Sequence, residues 1–158
     1  MNATSNNDAA QARAALEQAQ NATLTTDRDR RVHGLATAAF GILMGIYVGA
    51  YRLVDGSGWG EGILLGVYVA SLLGLAAWQR RAVTTIPRNA RLIGYLGVAG
   101  SAVLVIASII WMNIRQGDNR IGGIGDQPDH WWVYASVGVV TALPSLAAGH
   151  AIFRSRRL

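Results

Sequence analysis

A chain of 158 residues has room for one domain; 51% of it is hydrophobic and only 15% charged, against roughly 25% in soluble domains. The formal charge of +5 is carried by fourteen arginines and no lysine, a usage that reads as codon bias in a GC-rich bacterial genome; because most of these arginines sit at the ends of apolar runs, and no basic face with interleaved aromatics exists outside the spans, anionic headgroups account for the charge and nucleic acid does not. With no cysteine, disulfides, thiolate metal sites and CxxC redox chemistry are excluded.

Residues 1–26 are polar and rich in Ala, Asn, Gln and Thr. Asp8 is placed to cap a short cytoplasmic helix through Ala9–Ala19, built from strong helix formers. Its apolar side is mostly alanine with Leu16 the one large residue, so it is expected to dock weakly; a partner-docking segment is the alternative. Thr26 with Asp29 three residues on makes a capping-box pattern, which predicts a new helix start ahead of Arg28, Arg30 and Arg31. This divides the chain into a polar segment, 1–31, and a membrane domain, 32–158.

The first span is predicted over 32–53. Arg30-Arg31 before an apolar run raises a twin-arginine signal, and Val48-Gly49-Ala50 imitates a cleavage site. The long, acid-containing segment ahead and the length of the run point instead to a retained span. Gly41, Gly45 and Gly49 form one stripe where another backbone can approach closely, leaving Leu43 and Val48 for lipid. A short outer turn with Asp55, Gly56, Ser57 and Gly58 follows, and Arg52 and Glu61 are placed to pair beside it. The second span, 60–78, repeats the spacing with Gly62, Gly66, Ala70 and Gly74. Two small-residue stripes on consecutive helices predict that they face each other in a tight antiparallel hairpin.

Gln79–Arg91 carries Arg80, Arg81, Arg88 and Arg91 and no acid, the pattern of a loop held on the cytoplasmic face during insertion. It sets the orientation of a hairpin on each side, with both termini cytoplasmic. The third span, 92–112, has a less regular small face at Gly94, Gly97, Gly100 and Ser101. In the outer loop Asn113–His130, the residues Asp118, Asn119, Asp126, Asp129 and His130 lack the spacing of a calcium loop and read as solvated. The fourth span, 131–153, contains Pro144, expected to kink it, with Ser145 and Gly149 as small surface beyond. Trp59, Trp111, Trp131 and Trp132 fall at outer span ends and Trp78 at an inner one, matching the preference of indole for the headgroup layer.

Chemistry is sparse. None of the nine acids falls between the predicted span boundaries, which argues against a proton antiporter. Tyr47, Tyr68 and Tyr95 lie within spans and read as packing and hydrogen-bonding groups. His33 and His150 both fall near the cytoplasmic boundary and are the candidate haem ligands, although a pair at interfacial depth suits haem poorly and two headgroup-bonded histidines are the plainer reading. Hydrolase motifs, phosphate-binding glycine loops and HExxH are absent.

The segment Asp8-Ala9-Ala10-Gln11-Ala12-Arg13-Ala14-Ala15-Leu16, followed by four spans, resembles an uncharacterised group of small membrane proteins of high-GC bacteria, often encoded beside a winged-helix regulator. The resemblance implies an accessory or stress-related membrane role. The expected architecture is an all-α membrane protein: four transmembrane helices as two antiparallel hairpins, with a short N-terminal cytoplasmic helix, in the cell membrane. The expected function is non-enzymatic and without cofactor or metal, that of an accessory subunit whose partners are the bilayer and a second copy or a larger membrane protein. A small transporter or pore component lined by tyrosines and glycines is the rival; a haem protein comes third.

Overall fold

In the computed structural model, which describes residues 3–54, 57–84, 88–122 and 130–155, the chain is an all-α membrane protein of four helices. They are α1 (Ala3–Val54), α2 (Trp59–Ala82), α3 (Arg88–Ile121) and α4 (Trp131–Arg154). All four contain a segment long and apolar enough to cross a bilayer: Asp27–Val54, Trp59–Ala82, Ala90–Asp118 and Trp131–Arg154. Residues 55–56, 85–87, 123–129 and 156–158, including Asp55, Asp126, Asp129, Arg156 and Arg157, lie outside the described residues.

Two helices are longer than composition suggested. The expected break at Thr26 does not occur, and the N-terminal helix is continuous with the first span over 52 residues. At 1.5 Å per residue α1 is about 78 Å long, more than twice the hydrocarbon thickness. Nothing between Ala19 and Thr26 is Gly or Pro, so the hydrogen-bond ladder has no reason to stop. Asp8 is therefore inside a helix that already began at Ala3, and residues 12–19 are all exposed. Helix α3 likewise runs nine residues past Met112, converting the first half of the expected outer loop into helix. It stops at Gly122-Gly123, where two residues without Cβ meet.

The connection from α1 to α2 is tight. The Ser57 amide donates to the Val54 carbonyl at 3.0 Å, and Gly58 takes φ +58°, a conformation that favours glycine.

Helix α4 is central, packing on α1 along one side and α3 along another, while α2 touches α1 alone among the described residues. Accordingly α4 supplies ten buried residues and α2 supplies none. The two antiparallel hairpins, α1–α2 and α3–α4, are joined chiefly through the α1–α4 seam.

That seam corrects the predicted pairing of glycine stripes. Gly41, Gly45 and Gly49 face α4, not α2. A Cβ built on Gly41 would lie 2.6 Å from Ser145 Cβ, one on Gly45 would strike the Gly138 carbonyl oxygen, and one on Gly49 would lie 3.0 Å from the Tyr134 carbonyl oxygen. Gly34 and Gly149 make the same close approach at the Arg-rich end, where a Cβ built on Gly34 would lie 2.8 Å from the Gly149 carbonyl oxygen. Lipid provides no hydrophobic drive between helices, so such backbone proximity, with its dispersion contacts, holds the pair. By contrast, Gly62, Gly66 and Gly74 meet nothing within 4 Å. They lie on the side of α2 away from the bundle. Val48, expected to face lipid, instead packs against the buried cluster of Met112, Tyr134 and Val137.

On the other side of α4, Pro144 stands inside the helix without ending it, and α3 is shaped around it. A Cβ on Gly100 would meet Pro144 Cβ at 3.0 Å, and one on Gly97 the Pro144 carbonyl oxygen at 3.2 Å. Beside this contact the buried hydroxyls of Ser101 and Ser145, the next residues along each helix, share a 2.8 Å hydrogen bond, a polar tie at membrane depth. Thr141 satisfies its buried hydroxyl by donating to the Gly138 carbonyl, and Thr37 donates to that of His33.

Candidate functional site

Because α2 and α3 both rest on α1 but do not touch each other, a cleft runs between them with α1 as its floor. Its lower half, at the Arg-rich end, is a cavity of about 550 Å³ between His33 and Phe40 of α1, Leu72 and Gln79 of α2, and Arg91 and Tyr95 of α3. At the opposite end of α1, a second cavity of about 320 Å³ lies between Tyr47, Tyr51 and Arg52 of α1 and Ile109 and Met112 of α3. Tyr47 stacks on Tyr68 of α2, with ring centroids 4.5 Å apart.

The Arg-rich end is organised by side chains of α1 that reach three different elements. Asp29 is fully buried, and its Oδ1 accepts from the Thr84 backbone N–H at 3.3 Å, pinning the start of the α2–α3 connection. Arg30 donates from Nη1 to the Ser155 carbonyl at 2.7 Å, capping the end of α4, and from Nη2 to Asp27 Oδ1 at 2.8 Å. His33 Nδ1 lies 2.8 Å from Gln79 Nε2. The amide nitrogen can only donate, so His33 Nδ1 accepts and the proton of a neutral ring is on Nε2. That Nε2 is buried without a hydrogen-bond partner among the described residues. Arg31 covers the Phe153 ring of α4 at 5.9 Å. Arg80, Arg81 and Arg91 are exposed at the same end, on the last turn of α2 and the first turn of α3. Arg88 opens α3.

Asp29 lies outside the predicted first span, 32–53, but inside the apolar segment Asp27–Val54, and it is buried. Its position three residues after Thr26 made a capping-box pattern, but with the helix unbroken there are no free amides to cap, and its carboxylate accepts from the Thr84 amide. His33 and His150 are not brought to one site: His33 faces the cleft and bonds to α2, whereas His150 stands exposed on α4. At the other end Arg52 donates to Asn113 Oδ1 of α3 at 2.9 Å. Among the described residues no group of three His, Cys, Asp or Glu is placed to hold a metal ion.

Sequence reasoning missed Gly34, Gly138, Ala142 and Gln79. The first three had a legible signal: Gly138, Ala142, Ser145 and Gly149 recur at helical spacing on one face of α4, as Gly34, Gly41, Gly45 and Gly49 do on α1. Gln79 had none, since a glutamine at a span end is ordinary. Compared with known proteins, the chain matches no family model, no curated protein and no solved structure.

Proposed function

We propose that this chain is a non-enzymatic interaction subunit of the cell membrane that docks through the outer face of α2 onto a second copy of itself or a larger membrane protein. One observation carries the reading. Helix α2 has no buried residue, yet Gly62, Gly66 and Gly74 lie in register with open space over all three. Against lipid alone, glycine gives up side-chain dispersion contacts and costs up to about 1 kcal/mol of helix propensity per residue. Three in register become favourable when a second backbone lies on them, as α4 lies on the equivalent stripe of α1. Both termini and the α2–α3 connection are cytoplasmic in this reading, from the arginine excess at that end. The likeness to small membrane proteins encoded beside winged-helix regulators agrees with an accessory role.

The test is a single cysteine at Ala70, in a chain that has none, oxidised in native membranes and repeated with Gly66→Leu. A dimer cross-link lost in the leucine variant, or a stoichiometric larger polypeptide that co-purifies only with the glycine, is the expected result. Neither appearing refutes the reading. A second reading, a small transporter or pore component, draws on the placement of Tyr47 and Tyr95 along the cleft. Substrate-dependent flux through a pure homo-oligomer distinguishes it.

A further inference from the structure

The cavity at the Arg-rich end of the cleft concentrates its polar groups toward one end. His33, Gln79 and Arg91 lie at its headgroup end; one turn above them stand Tyr95 and Thr37, whose hydroxyl is already bonded to the His33 carbonyl, and the remaining walls are apolar, Phe40, Leu72 and Leu75 among them. It is open sideways, because among the described residues the backbones of α2 and α3 stand apart across it. An occupant must therefore match two chemistries at once: an anionic, hydrogen-bonding head and a flexible apolar tail about half a bilayer deep.

We propose that this cavity binds an anionic glycerophospholipid. Its phosphate lies against the Arg91 guanidinium and the Gln79–His33 pair, and one acyl chain fills the apolar groove over α1. Three further features bear on it. The head of the site is at the end of the molecule where Arg80, Arg81 and Arg91 are exposed, so the field there selects negative charge. Of the two acids of the adjoining turn, Asp27 is tied to Arg30, and the buried Asp29 accepts from the Thr84 amide while its charge is still felt at His33. The Nε2–H of neutral His33 has no acceptor among the described residues, and a phosphate oxygen at the mouth, or a water held by it, provides one after a small ring movement. A guanidinium offers a planar fork that suits phosphate, which a zwitterionic choline headgroup partly neutralises. The proposal does not rest on the docking role of α2, whose glycine face points the other way. It requires only that this end of the bundle sit at a headgroup layer.

The full chain, reconstituted in vesicles of equal phosphatidylglycerol and phosphatidylcholine and released for native mass spectrometry, tests it. One phosphatidylglycerol retained per chain is expected, in clear excess over phosphatidylcholine. Arg91→Gln should lower that retention about fivefold, the effect of removing one arginine from an anionic contact, while Arg115→Gln at the opposite end leaves it unchanged. Ala76→Trp, which fills the groove from a position exposed to it, should abolish retention without lowering the melting temperature. Equal retention of the two lipids, loss with Arg115→Gln as large as with Arg91→Gln, or retention undisturbed by Ala76→Trp would each overturn the proposal. So would displacement by millimolar inorganic phosphate, which would make the site one for free anions, or a co-purifying polypeptide in place of the lipid.

Discussion

Gly45 lies where α1 and α4 come closest, and replacing it tests the packing of the whole molecule. Even a methyl group there would strike the Gly138 carbonyl oxygen and come within 3.1 Å of Ala142 Cβ, whereas carbon atoms settle at about 3.5–4.0 Å. Gly45→Leu must therefore force the two helices apart by about 1 Å or more. A gap of that size forfeits a quarter to a half of each dispersion well along the seam. If the seam holds about as many atom contacts as one buried leucine, roughly 50 at about 0.15 kcal/mol, the loss is about 2–4 kcal/mol, close to the range of other overpacked interiors. Unfolding in mild detergent, followed by circular dichroism, should then show a melting temperature lower by about 5–10 °C. In the detergent-isolated monomer, Gly66→Leu is the internal control: with nothing within 4 Å and a better helix former introduced, it should melt at or slightly above wild type. Val48→Ala belongs with the damaging set, since Val48 packs on Met112, Tyr134 and Val137, and should cost about 1 kcal/mol. Should Gly45→Leu melt with wild type while Gly66→Leu falls, the seam has been assigned to the wrong pair of helices.

Cysteines at Ser57 and Asn119 should label with a membrane-impermeant thiol reagent in intact cells, and those at Thr84 and Ser155 only after lysis; the reverse pattern would invert the molecule. Asp29→Ala should free the α2–α3 connection, removing the acceptor of the exposed Thr84 amide at a cost of about 1 kcal/mol, and should appear as faster proteolysis after Arg80 or Arg81 with the spans intact. A double-mutant cycle of Ser101→Ala and Ser145→Ala should give a coupling of about 0.6 kcal/mol, the usual size for a hydroxyl pair between membrane helices; a value of zero would mean that the two hydroxyls do not share a proton in the bilayer.

The four spans were legible because apolar runs of bilayer length have few alternatives, and the tryptophans fall at their ends. Helix ends were less so. Composition drew a boundary at Met112, where polar residues begin, but a helix ends where its ladder is interrupted, and the first interruption is Gly122-Gly123. The same rule explains why α1 continues through Thr26: the capping box is a device for starting a helix, and it has no meaning inside one already formed. Spacing identified the small faces of α1 and α2 correctly as faces. It carried no information on what each would meet, because a stripe at fourfold spacing is the same stripe whether it receives a sequence neighbour, a distant helix or another chain. The site at the Arg-rich end was hidden for a different reason. His33, Gln79 and Arg91 are far apart in the chain and individually ordinary; only the seating of α2 and α3 side by side on α1 brings them to one cavity.

The way α2 is held connects the two proposed roles. Helices α1 and α4 meet through glycine, and α3 and α4 through glycine, proline and a hydroxyl pair, contacts distributed along their length. Helix α2 meets α1 through the Tyr47–Tyr68 stack and, near its Arg-rich end, the Gln79–His33 bond, with its small residues turned outward. Its attachment is the least extensive in the molecule, and no direct contact with α3 sets the width of the cleft. A partner that engages Gly62, Gly66 and Gly74 therefore acts on the one helix whose position defines the cavity, and Gln79 moves with it. Lipid in the cleft and a protein on the outer face press on opposite sides of the same helix, so occupancy of one should alter the affinity of the other by equal factors in both directions. Retention of phosphatidylglycerol by the Gly66→Leu variant, measured beside wild type in the partner-bound state, reads that coupling directly: equal retention in the two would show that α2 is fixed by α1 alone.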